Sequence, residues 1–122
     1  MTRCALVLAF VLAQITPRAA LAREGIALPT GFDGFYAVGG MACDGLGRVG
    51  VKDGVMVGAE FAITVTDLIE FPGESNRVEA TLLNEGGGGS WTDSAVLTLT
   101  DDGQSLRFDY PDGTATVWTR CP

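Results

Sequence analysis

The side chains in this chain that could do chemistry are few, and their types exclude more than they offer. No histidine is present, which removes the imidazole base of Ser-His-Asp and Cys-His catalysis and the commonest metal ligand. The sole lysine, Lys52, falls in a predicted surface turn, so a Ser-Lys dyad, which needs a buried amine, has no support. Carboxylates are plentiful. Yet Asp44, Asp53, Asp101, Asp102 and Asp112 fall in predicted turns, and Glu60, Glu79 and Asp109 on solvent-facing strand positions. Glycoside cleavage needs two acids facing each other across a bond. Asp101-Asp102-Gly103 also lacks the alternating acids and distal Glu of a calcium loop. The residue types therefore point to a protein that is not an enzyme and uses no metal or cofactor.

Three other features remain as candidates. Cys43 and Cys121 form an even pair once Cys4 is set aside with the export segment described below, and the pattern predicts a disulfide between them. In the chain-entropy model a loop of that length is worth up to about 4.5 kcal/mol. Trp91 follows a glycine run at the start of a strand, where partial exposure would make it an anchor for a partner or ligand. Arg120 shares strand parity with Trp118, which aims it inward at one end, either to snorkel out at the rim or to bind an anionic group. Trp118, Phe108 and Tyr110 read as core.

The N-terminus explains where such a domain would work. Arg3 precedes an apolar run from Ala5 to Ile15, Pro17 follows, and Ala20-Leu21-Ala22 offers small residues for cleavage. This predicts a signal peptide over 1–22 and a periplasmic or secreted location. The run is too short to span a bilayer, which needs about 20 residues, so no membrane insertion is expected after signal removal. Cys4 lies before the run, where it cannot serve as a lipoprotein cysteine. From Arg23 onward six basic residues face fifteen acids, a net charge of −9. That field disfavours nucleic acid and anionic lipid, and it would steer a basic protein into contact.

The positioning elements are strands. Five Asp-Gly pairs punctuate the chain, each a turn signal, and between them run alternating segments rich in Val, Thr, Leu and aromatics. Strands are predicted near Phe35 to Val38, over Arg48 to Lys52, over Val55 to Thr66 as one continuous strand, and over Arg77 to Leu83. Two hairpins complete the set, one through Asp101 to Gln104 and one through Tyr110-Pro111-Asp112-Gly113-Thr114. The parity of Val51 and Val55 favours a three-residue Lys52-Asp53-Gly54 loop with a bulge. Gly86 to Gly89 reads as a flexible connection and Pro72 to Asn76 as a polar loop. The sum is an all-β antiparallel meander of about seven strands, which hides its edges best as a small barrel. Residues 23–30 are expected as a disordered stub and 31–122 as one domain.

Tyr36, Gly40-Met41-Ala42-Cys43, Val51-Lys52-Asp53-Gly54 and Trp118-Thr119-Arg120-Cys121 together resemble small exported bacterial disulfide-fastened domains of unknown function. Many of those carry a second cysteine pair, which Phe61 and Leu82-Leu83-Asn84 lack here. The plan is also distantly similar to periplasmic lysozyme inhibitors, which are small disulfide-fastened β-barrels. What these resemblances imply is a non-catalytic binding domain, such as an inhibitor of a basic secreted enzyme like a lysozyme. A small-molecule carrier with an apolar interior and a structural envelope protein are the alternatives.

Overall fold

The computed structural model describes residues 24–100 and 102–122. The expected signal peptide, Arg23 and Asp101 lie outside the described residues. Eight strands follow in order: β1 (Gly34–Val38), β2 (Arg48–Lys52), β3 (Val55–Val57), β4 (Phe61–Phe71), β5 (Glu74–Gly86), β6 (Gly89–Leu99), β7 (Ser105–Asp109) and β8 (Ala115–Arg120). Each pairs antiparallel with the next, and β8 returns to β1 to close a barrel. Closure pairs every strand on both sides over part of its length and so removes the long free edges of an open sheet.

The eighth strand arises where one strand was expected over Val55 to Thr66. The chain instead turns at Gly58, whose N–H donates to the Phe61 carbonyl at 2.9 Å. A side chain at 58 would collide with the Phe61 ring. The register then places Met56 opposite Val51 and Ile63, so Met56 is fully buried while Val57 stands outside, 55% exposed.

The same shift corrects the preceding hairpin. Lys52 pairs directly with Val55, and Asp53 (φ 53°) and Gly54 (φ 79°) form a two-residue turn with both central residues left-handed. Such turns match the strand twist, so the expected three-residue bulged loop is not formed. Gly86 pairs with Gly89, which makes the expected flexible connection a tight hairpin. Phe71 pairs with Glu74, so β5 absorbs most of the expected polar loop at Pro72 to Asn76. Elsewhere the expected pairings form. Leu99 opposes Leu106, and the Tyr110 N–H donates to the Thr114 carbonyl at 3.0 Å.

The two ends of the barrel differ. At the base lie the β2–β3, β4–β5 and β6–β7 turns, and a short 3-10 turn at Thr30–Phe32 stoppers it with fully buried Phe32. Residues 24–30 are thus not the expected disordered stub. Leu28 is buried, and the Ile26 N–H donates to the Val65 carbonyl at 2.8 Å. The physical reason is strand length. Pairing of β3 with β4 stops at Thr64, so the N-terminal segment takes up β4 backbone that would otherwise lie unpaired. The Cys43–Cys121 disulfide forms, with Cα atoms 5.7 Å apart. Because the Cys121 N–H donates to the Phe35 carbonyl, the loop leaving β1 must fold back along the barrel wall to deliver Cys43.

Gly54 and Gly113 offer a paired test. Both are left-handed, but a Cβ on Gly54 would collide with the Ile26 carbonyl whereas one on Gly113 meets nothing. Gly113→Ala is expected to cost about 1 kcal/mol of backbone strain and Gly54→Ala roughly 2–4 kcal/mol. Urea denaturation measures both costs, and hydrogen exchange at the Ile26 amide should rise only in Gly54→Ala.

Candidate functional site

The open end of the barrel, its mouth, carries the most distinctive chemistry. The β5–β6 hairpin outruns its neighbours there, because β6 pairs with β7 only from Val96 onward. Trp91 and Asp93 face Asn84 and Leu82 across that hairpin, on the same side as the buried Ala95 and Leu97 but beyond the packed core. Trp91 is 54% exposed. Its indole Nε1 donates to Asp93 Oδ2 at 3.3 Å, and the Asn84 amide donates to the same oxygen at 3.3 Å. The carboxylate thereby orients the ring rather than leaving it to swing.

Across the mouth, Tyr110 stacks on Phe108 at 6.4 Å, Phe108 meets Trp118 at 4.6 Å, and Trp118 meets Phe61 at 6.2 Å. This aromatic column rises from the core to the lip. A shallow cleft of about 500 Å³ lies between the two hairpins, lined by Thr92, Asp93, Ser94, Tyr110, Asp112 and Thr114 among others. Asp112 accepts the Thr114 hydroxyl at 2.6 Å and the Thr114 N–H at 2.9 Å. Those bonds, the hydroxyl first, hold its carboxyl below the usual range. Burial raises the Tyr110 hydroxyl above its ordinary value, and nearby Asp93 and Asp112 add to that, against a hydrogen bond to Thr116. The cleft therefore presents fixed negative charge beside an exposed indole.

Arg120, the other expected site residue, sits at the opposite end. Its Nε donates to the Gly103 carbonyl at 2.6 Å, Nη1 to Asp33 at 3.1 Å, and Nη2 to Gly31 at 2.8 Å and the Tyr36 hydroxyl at 2.9 Å. These four oxygens hold the guanidinium, which also lines a cleft of about 650 Å³ with Thr30, Asn76, Leu99 and Gln104 among others. The guanidinium ties the stopper, the β6–β7 loop and β8 together through neutral oxygens. The fold thus keeps Trp91 and Arg120 apart. The lumen between them is filled by side chains, Tyr36, Phe32, Phe108 and Met56 being fully buried.

Sequence reasoning singled out Trp91 but missed Asp93 and Asn84. The Trp-x-Asp spacing carries the signal for Asp93, since alternate residues share a strand face; Asn84 needed the hairpin register. Asp102 is a turn former like Asp112. The Gln104 N–H and then the Thr100 hydroxyl hold its carboxyl below the usual range. Among the described residues no three His, Cys, Asp or Glu side chains gather as a metal site. Comparison with protein-family models, with curated proteins and with solved structures yields no match.

Tyr36 gives the arrangement at the base a pH signature. Burial raises its hydroxyl above the ordinary tyrosine value, and the Arg120 charge opposes this in part. The folded state then holds the proton more tightly than the unfolded chain. The resulting stability is complete below the unfolded value near 10 and is lost as pH rises through the folded one. The urea midpoint should fall above about pH 10. Tyr36→Phe should reduce that fall while costing about 1–3 kcal/mol at neutral pH through the lost hydrogen bonds.

Proposed function

We propose that this is an exported, non-catalytic binding domain whose mouth captures a basic protein, acting as an inhibitor of a cationic secreted enzyme such as a lysozyme. The observation that carries the reading is Trp91, exposed and pinned by its indole N–H to the Asp93 carboxylate at the lip of an acidic cleft. A lysine or arginine entering the cleft meets an aromatic face and carboxylates together, the pairing that favours cations over other side chains. Chain charge adds range. Fifteen acids against eight basic residues give a field that speeds encounter with a basic partner and repels acidic ones.

Several features support export. The N-terminal segment has the order of a signal, and Cys43–Cys121 is a bond that an oxidising compartment preserves. A rigid closed barrel suits inhibition because it loses little freedom on docking.

The test is binding to immobilised basic hydrolases, lysozyme among them. Retention is expected at low salt and should weaken as salt rises. Trp91→Ala should lower affinity about 30-fold and Asp93→Asn about tenfold. Glu79→Gln, on the outer wall, should change it less than about twofold. Absence of retention at low salt would contradict the reading.

A further inference from the structure

The outer wall over β1–β3 departs from the pattern of a closed barrel, whose exterior is expected to be polar. Phe35 pairs with Gly50 and Gly50 with Val57, so these three share one row on the outer face. Phe35 and Val57 are 51% and 55% exposed. Gly50 presents no side chain, so the Phe35 ring lies against it, and a furrow of about 590 Å³ lined by Phe35, Val55 and Val57 runs beside it. Lys52 and Asp33 stand at its basal end, and the Arg48 guanidinium lies 4.0 Å over the Phe35 ring at the other. A second shallow groove continues it past Lys52 to Asp53 and Glu24.

The charges decide what fits. Among the described residues, Arg77 pairs with Glu74, Arg107 with Asp109, and Arg120 is held by carbonyls. Arg48 and Lys52 have no ion pair among the described residues, and they share this face. An anionic ligand would meet Asp33, Asp53 and Glu24 as well as the two cations, so a plain anion finds no net attraction. A mixed patch of two cations, three acids and an apolar centre is complementary to itself about a twofold axis. Most of the surface of so acidic a chain repels its own copy. Here the cations of each copy can face the acids of the other, and the exposed Phe35 and Val57 side chains can pack against the partner's.

We propose that the β1–β3 wall binds a second copy of this chain, forming a symmetric dimer with Phe35, Gly50 and Val57 at its centre. The dimer leaves both mouths free, and it stands or falls independently of what the mouths bind.

Sedimentation equilibrium of the purified protein, with its disulfide intact, tests this over about 10 µM to 1 mM. A monomer–dimer equilibrium is expected. Phe35→Asp and Val57→Asp should each weaken it by at least about tenfold, as loss of a central apolar anchor does. Ile69→Asp adds the same charge at an equally exposed apolar residue (56%) on β4 and should leave it within about twofold. Trp91→Ala should also leave it unchanged. The variants alter exposed side chains, and near-ultraviolet circular dichroism confirms that each is folded. A monomer across the whole range, a smaller loss in either wall variant, or an equal loss in Ile69→Asp would overturn the proposal.

Discussion

A barrel made from one meander has a single seam, where the last strand must find the first, and everything else here depends on how that seam is held. Arg120 of β8 pairs with Tyr36 of β1 across 84 residues of chain. Such contacts form only after the loop-closure entropy of the whole domain has been lost. Backbone pairing of three residue pairs is a thin seal for that. The guanidinium thickens it by reaching three carbonyls and a hydroxyl at once, on the 31–36 stretch and on the β6–β7 loop. Lysine has a point charge in place of a planar fork and cannot span those oxygens together. The carbonyls satisfy the cation's donors through hydrogen bonds, with no ion pair to it among the described residues. The disulfide one residue later closes the same seam covalently.

The strands whose two faces differ in polarity were legible. Val78, Ala80 and Leu82 alternate with polar neighbours and are all buried, and the turn through Pro111 and Gly113 pairs as its residues demand. Where both faces are apolar, the pattern loses its meaning. Val55, Met56 and Val57 read equally well either way up, so register passed to the backbone: a left-handed Asp53-Gly54 turn and a glycine forced by the Phe61 ring. The N-terminal segment was illegible for a related reason. Leu28 and Phe32 carry no periodicity, and their burial follows from a barrel end that only the completed fold creates.

The functional reading divides in the same way. Exposure of Trp91 followed from its place after a glycine run, but its carboxylate and amide partners depend on a hairpin that overshoots the barrel. Inward parity of Arg120 was legible from Trp118. Its targets were not, because backbone carbonyls leave no mark on a sequence. The outer furrow was hidden too, since Phe35, Gly50 and Val57 are neighbours only across strands. One closed scaffold thus keeps three features apart: a base locked by Arg120 and Phe32, a mouth of aromatic and acidic groups, and a wall where apolar side chains meet charges of both signs.

The most direct test of this account is the unfolding free energy of Arg120→Lys in urea, with the disulfide intact. The charge is kept and only the fork is lost. A fall of about 2–4 kcal/mol is predicted, because carbonyls of Gly31, Asp33 and Gly103 lose a donor that no neighbour replaces. A change below about 0.5 kcal/mol, the range of ordinary surface substitutions, would contradict the claim that this guanidinium holds the seam.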